Sequence, residues 1–179
     1  MKLLIVYGTT EGQTRKVARF AADRLADAGH AVELLQAEDA EGVDLGRFDG
    51  VILAGSIHAG DFQKALVAFA EDNAKALAGA RTLFLSVSLS AAGDYNEDWA
   101  GLDDCIARFV KNTGWTPGKV AHVAGAFRFS EYDFFKSWAM RWIASQKDQT
   151  VKAGVDKEYT DWDALGALLD EWVAGLKRG

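Results

Sequence analysis

Residues 2–14, KLLIVYGTTEGQT, pass from an apolar run into a turn of glycine and threonine and then into a helical pattern. Leu3, Leu4, Ile5 and Val6 follow one another without alternation, as in a strand covered on both faces within a parallel sheet. Gly8 and Gly12 let the backbone bend close to a ligand, and Thr9, Thr10 and Thr14 offer hydroxyls. A helix starting near Gln13 aims unpaired N–H groups at the same point. The combination predicts a site that holds a phosphate without a cation. Walker loops end in Gly-Lys-Ser/Thr and dinucleotide fingerprints carry three glycines in G-x-G-x-x-G register; this turn has neither. Hydroxyls around one central glycine suit a terminal phosphate monoester, whose several oxygens each accept a bond.

Further apolar runs follow at 31–35, 51–54, 82–87 and 120–124, separated by segments of helical periodicity. This βαβα alternation predicts an α/β fold with a parallel sheet and helices on both faces. The first helix is expected over 14–28, with Val17, Phe20, Ala21, Leu25 and Ala28 on one side and Gly29 as its stop. Residues 38–48 are short and acidic and predict about one helical turn. Helices are expected over 64–77, carrying Leu66, Phe69, Ala70 and Leu77, and over 98–112, carrying Leu102, Ile106, Phe109 and Val110 and stopping at Gly114. A last helix over 162–176 takes Thr160 or Asp161 as its N-cap.

A length of 179 residues predicts one domain, residues 1–179, able to bury a sizeable core. Its 49% hydrophobic and 26% charged content is that of a globular chain and not of a disordered one. A net charge of −6 with no Lys/Arg cluster argues against nucleic acid as a partner. Cys105 stands alone, which excludes an internal disulfide and a Cys-rich metal site; no metal is expected. On an amphipathic stretch it reads as a buried apolar residue. The opening apolar run is too short for a signal peptide and no stretch is long enough to span a bilayer, so a cytoplasmic location is expected.

The turn GTTEGQT resembles the T-x-T-G-x-T phosphate loop of the flavodoxin family, with Glu11 at a variable position. The resemblance implies a flavodoxin-like doubly wound sheet of five parallel strands in the order 2-1-3-4-5. It also implies FMN as cofactor, its phosphate on Thr9, Thr10, Glu11, Gly12, Gln13 and Thr14. The loops after strands three and four would flank the flavin ring through main-chain groups of Ser56, Ile57, His58, Ala59 and Gly60, and of Ser86, Val87, Ser88, Leu89 and Ser90. For an aromatic face the first of these loops offers only Ile57, His58 and Phe62; Tyr95 and Trp99 either supply the other face or anchor their loop. Histidine titrates near neutrality, so His58 is the candidate proton donor or substrate contact, against a solvated loop histidine.

Between strand five and the last helix lies an inserted segment, residues 127–159, far longer than a minimal doubly wound domain needs. Phe135, Trp138, Ala139, Trp142 and Ile143 recur at helical spacing and form one wide apolar face. Lys136, Arg141 and Lys147 lie among them, as in helices at a membrane surface, while Glu131, Asp133, Asp148 and Asp156 offset the charge. The expectations for this face stay open between three. It contacts a membrane through Phe134, Trp138 and Trp142, it packs on the sheet edge, or it is buried in a homo-oligomer.

Several pieces together are similar to the menaquinone-dependent protoporphyrinogen oxidase (dehydrogenase) family of flavodoxin-like enzymes. They are the phosphate loop with Gln13-Thr14-Arg15, Ala54-Gly55-Ser56-Ile57 followed by Gly60, Phe84-Leu85-Ser86-Val87, the run from Ala124 to Phe129, and the tail from Lys157 to Trp162. This resemblance implies FMN-dependent oxidation of protoporphyrinogen IX to protoporphyrin IX in haem biosynthesis, with a quinone, menaquinone or ubiquinone, as acceptor. Arg128 and Tyr95 become candidate substrate contacts. Because porphyrinogen and quinone partition to lipid, it also implies a peripheral position on the inner face of the cell membrane. The alternative on the same fold is a flavodoxin-type electron carrier or an NAD(P)H:quinone reductase.

Overall fold

Strand β1 (Lys2–Gly8) sits inside a five-stranded parallel sheet of order β2-β1-β3-β4-β5, with β2 Ala31–Gln36, β3 Gly50–Ser56, β4 Thr82–Ser88 and β5 Lys119–Ala124. The computed structural model describes residues 1–10, 12–58, 60–92, 96–127 and 157–176. The apolar run of β1 has the predicted cause. Leu3, Ile5 and Tyr7 face one layer and Leu4 and Val6 the other, and Leu3 to Val6 have no exposed surface. On the first face lie helix α1 (Gln13–Asp27), through Val17, Ala18, Ala21 and Leu25, and α5 (Trp162–Leu176), through Leu165, Leu169, Trp172 and Val173. On the second lie α2 (Lys64–Asp72), α3 (Ala74–Gly79) and α4 (Asn96–Thr113). Both neighbours of β1 are parallel to it, with Leu3 opposite Val32 of β2 and Gly50 of β3. Strand order therefore reverses between β1 and β3, and in open parallel sheets ligands sit beyond the carboxyl ends of the strands at such a point.

The structure corrects three local expectations. The helix predicted over 64–77 is interrupted at Asn73, whose side-chain amide donates to the Phe69 carbonyl at 2.9 Å, so that α2 ends and α3 begins there. The acidic stretch forms two 3₁₀ turns, Ala37–Asp39 and Leu45–Arg47, in place of one helical turn; Asp44 accepts from the Gly46 amide at 3.0 Å. Beyond β5 the chain forms β6 (Ala126–Phe127), paired antiparallel with β7 (Lys157–Glu158), a ribbon that the sequence did not announce. The last helix begins as predicted, with Asp161 as its cap: its carboxylate accepts from the Ala164 amide at 2.9 Å. The expected inserted helix with Phe134, Trp138 and Trp142 lies outside the described residues, as does Arg128.

Phe62, a sequence candidate for an aromatic face of the site, is instead core. It is 7% exposed, with ring centroids 5.0 Å from Phe84 and 5.2 Å from Phe109. Gly55 is required by the same packing, because a Cβ there would stand 2.5 Å from Leu66 Cδ2 and 2.8 Å from Phe62 Cδ1. Among the described residues no helix is long and apolar enough to cross a membrane.

Candidate functional site

The loop after β1 is folded by its own residues. The Gly12 amide donates to Thr9 Oγ1 at 2.9 Å, and Gly12 adopts φ +86°, a conformation that disfavours any residue with a Cβ. Helix α1 starts at Gln13, with no side chain capping it among the described residues and no acidic residue in its first turn, so its positive end faces the loop. Gln13 and Thr14 are buried, and Gln13 Oε1 and Thr14 Oγ1 have no hydrogen-bond partner among the described residues. A buried hydroxyl left unpaired costs about 1–3 kcal/mol. An anion with several acceptor oxygens at this helix end would satisfy it, so the residues fit a bound phosphate monoester. Glu11 lies outside the described residues.

Gln63, which sequence reasoning missed, ties this loop to the one after β3. Its Oε1 accepts from the Ser56 amide at 3.2 Å, and its Nε2 donates to Ser56 Oγ at 2.5 Å and to Thr10 Oγ1 at 3.0 Å. Its one sequence signal is a polar residue just ahead of α2. The Ile57 amide donates to the Val87 carbonyl at 2.9 Å. His58 and Asp61 close a tight turn by two reciprocal backbone bonds of 2.9 and 3.1 Å, made possible by Gly60 at φ +89°. The Gly60 carbonyl accepts from Arg108 Nη2 at 2.6 Å and from Cys105 Sγ at 3.2 Å, so α4 pins the turn. Burial pushes the Cys105 thiol up, against the opposing pull of Arg108, which keeps it a donor. Ala59 lies outside the described residues.

On β4, Ser86 is fully buried with its Oγ unpartnered among the described residues, and Val87 is 2% exposed. Ser88 Oγ accepts from the Ala91 amide at 3.2 Å, and Leu89 and Ser90 lead into a 3₁₀ turn, Ser90–Ala92. Tyr95 lies outside the described residues. Trp99 is 41% exposed and meets the His122 ring edge-on at 5.7 Å. Among the described residues there is no group of three or more His, Cys, Asp or Glu placed to hold a metal.

His122, on β5 opposite Ser86, has its Nε2 3.7 Å from Asp103 Oδ1. Burial lowers its pKa below the ordinary histidine value, outweighing the opposing effect of Asp103. The folded chain therefore binds fewer protons at this site than the unfolded chain. Stability is full above the unfolded value of about 6.5 and is lost as pH falls from there toward the folded pKa. Urea unfolding of the wild type at pH 7.5 and 5.0 should show that loss, and His122→Gln should reduce the difference between the two pH values.

The tail from Lys157 to Trp162 returns to the start of α1. Gln13 Nε2 donates to Glu158 Oε2 at 3.1 Å and to Thr160 Oγ1 at 2.9 Å, and Thr160 Oγ1 donates to the Ala124 carbonyl at 2.7 Å. Lys16 Nζ reaches Glu158 Oε2 at 3.0 Å and Trp162 Nε1 reaches Glu158 Oε1 at 3.0 Å. Burial works to raise the pKa of Glu158 and is outweighed by the bonds from Lys16, Gln13 and Trp162, which hold it below the usual glutamate range. The sequence signal for this pair is their i, i+2 spacing, which puts both on one side of an extended chain.

The chain is 26% identical over 96% of its length, and 94% of the relative's, to Protoporphyrinogen IX dehydrogenase [quinone] of Escherichia coli strain K12. It is 25% identical over 97% of its length, and 75% of the relative's, to the Leishmania major protein of the same name. Its fold is that of oxidised Flavodoxin 1 from Bacillus cereus, at a TM-score of 0.57 and 15% identity over 97% of this chain and 98% of that one. It is equally that of the Streptococcus pneumoniae flavodoxin, at 0.57 and 21% over 98% and 99%. With the model of the flavodoxin domain matching residues 4–152 and a five-stranded parallel sheet of order β2-β1-β3-β4-β5, the chain belongs to the flavodoxin-domain family.

Proposed function

We propose that the chain is an FMN-dependent oxidoreductase that oxidises protoporphyrinogen IX to protoporphyrin IX with a quinone as electron acceptor, a step of haem biosynthesis. The observation that carries the cofactor is the buried hydroxyl of Thr14, without a partner among the described residues, at the start of α1. Support for the reaction is the name shared by relatives that match the chain nearly end to end.

FMN, when bound, supplies the redox chemistry, in which three successive two-electron oxidations of the porphyrinogen reduce three quinones. The chain's part is to bind and orient. Thr9, Thr10, Gln13 and Thr14 and the first amides of α1 hold the phosphate. The backbone of the loops at 56–60 and 86–90 faces the ring, and Gln63 fixes the first of them to Thr10. The carbonyl of Gly60 is committed to Arg108 and Cys105, so that turn keeps one conformation. His58 is the candidate proton-handling side chain, and Arg128 and Tyr95 the candidate substrate contacts. The aromatic segment with Phe134, Trp138 and Trp142 meets the inner face of the membrane in this proposal, because both substrates are lipid-soluble.

The test is the visible spectrum of the purified protein, followed by porphyrin formation from protoporphyrinogen IX with and without a menaquinone analogue. Bound FMN and porphyrin formation that depends on quinone are expected. Bound FMN without that activity would favour an electron carrier or another quinone reductase.

A further inference from the structure

We infer that the returning strand β7 and the residues after it latch the phosphate-loop helix. Glu158 and Thr160 are positioning residues that fix the Gln13 side chain, so that phosphate binding at residues 9–14 and docking of the β6/β7 ribbon are coupled. This rests on the FMN reading. Gln13 is the first residue of α1 and 6% exposed, and its side-chain nitrogen donates to both Glu158 and Thr160. With those bonds made, the carboxamide has one orientation, and its oxygen is left unpartnered among the described residues. The same carboxylate takes Lys16, also in the first turn of α1. The tail is in turn bound to the end of β5, through Thr160 Oγ1 to the Ala124 carbonyl and the Tyr159 amide to the Gly125 carbonyl at 3.0 Å. The first turn of α1, the end of β5 and β7 thus form one hydrogen-bonded unit at the place where the phosphate is held.

The Lys16–Glu158 pair is partly exposed, with side chains 55% and 33% accessible, and such pairs contribute little. The buried bonds of Gln13 are the stronger part of the latch. Linkage then works both ways: a docked ribbon favours the loop geometry that binds phosphate, and a bound phosphate favours the docked ribbon. Charge alone predicts the opposite sign for one partner. Removing the Glu158 carboxylate from beside the positive end of α1 would strengthen anion binding if charge were its only contribution.

The experiment is titration of the full chain, freed of flavin, with FMN and with riboflavin, which lacks the phosphate. Wild type, Glu158→Ala and Thr160→Val are compared, each checked for folding by circular dichroism. Thr160→Val keeps shape and charge, and tests the latch if Glu158→Ala does not fold. The expected result is FMN affinity weakened roughly tenfold in both variants, with riboflavin affinity unchanged. FMN should also slow hydrogen exchange at the Tyr159 amide in wild type and not in the variants. Tighter FMN binding in Glu158→Ala, or an equal loss for FMN and riboflavin, would overturn the latch. Unchanged affinities in both variants would do the same while leaving the cofactor in place. A wild-type chain that binds neither flavin overturns the cofactor reading and the latch with it.

Discussion

Phe84→Ala lowers the free energy of unfolding by about 4 kcal/mol, read from urea denaturation with an unchanged m-value. Phe84 has no exposed surface and stands at the centre of the second core layer. Its ring stacks on Phe109 at 4.7 Å, and Phe62 and Trp115 meet it at 5.0 and 6.2 Å. Truncation removes contacts from three rings at once. Trp115, itself fully buried, is held by the chain turn after α4, which limits how far the cavity can collapse. The loss also reaches the candidate site, because Phe62 packs against Gly55 at the end of β3. A loss below roughly 1.5 kcal/mol would mean that the cluster repacks freely around the missing ring.

Thr14→Val has effects of opposite sign on the free chain and on the cofactor complex. Valine fills the same volume as threonine but removes the hydroxyl, which is buried without a partner among the described residues. Deleting an unsatisfied buried hydroxyl should stabilise the flavin-free chain by about 1 kcal/mol, or roughly 2–4 °C in Tm for a chain of this size. On the proposed reading FMN would lose a bond to a charged acceptor, worth about 2 kcal/mol, so its Kd should rise about thirtyfold. Riboflavin, which has no phosphate, should bind both proteins alike. Scanning calorimetry of the flavin-free proteins and fluorescence titration with the two flavins measure the pair of effects. A Thr14→Val chain that binds FMN as wild type does would remove Thr14 from the phosphate site.

What could be read from the sequence about the site was what lies close together along the chain. Gly12 and Thr9 are three residues apart, and the loop they make is local, so their residue types announced it. The loop after β3 was legible as a position and not as a mechanism. Gly55 marked the family resemblance, and its missing side chain makes room for Leu66 and Phe62. Phe62 suggested a stacking face and is buried in the core. Arg108 and Cys105 hold the Gly60 carbonyl from a different helix, 48 and 45 residues away, and nothing in a local pattern records such a partner.

The sequence announced the α/β class, the strand order, the glycine-threonine loop after β1 and the N-cap of the last helix. The class, the loop and the cap follow from period and residue type over a few neighbouring residues, and the strand order came with the family resemblance. The tertiary structure alone decided which polar residues share a site. Gln13 and Glu158 are 145 residues apart, and Gln63 and Thr10 are 53 apart. Their bonds depend on the sheet order that brings the ends of β1, β3 and β5 to one edge, and on side-chain directions fixed only once both core layers are packed.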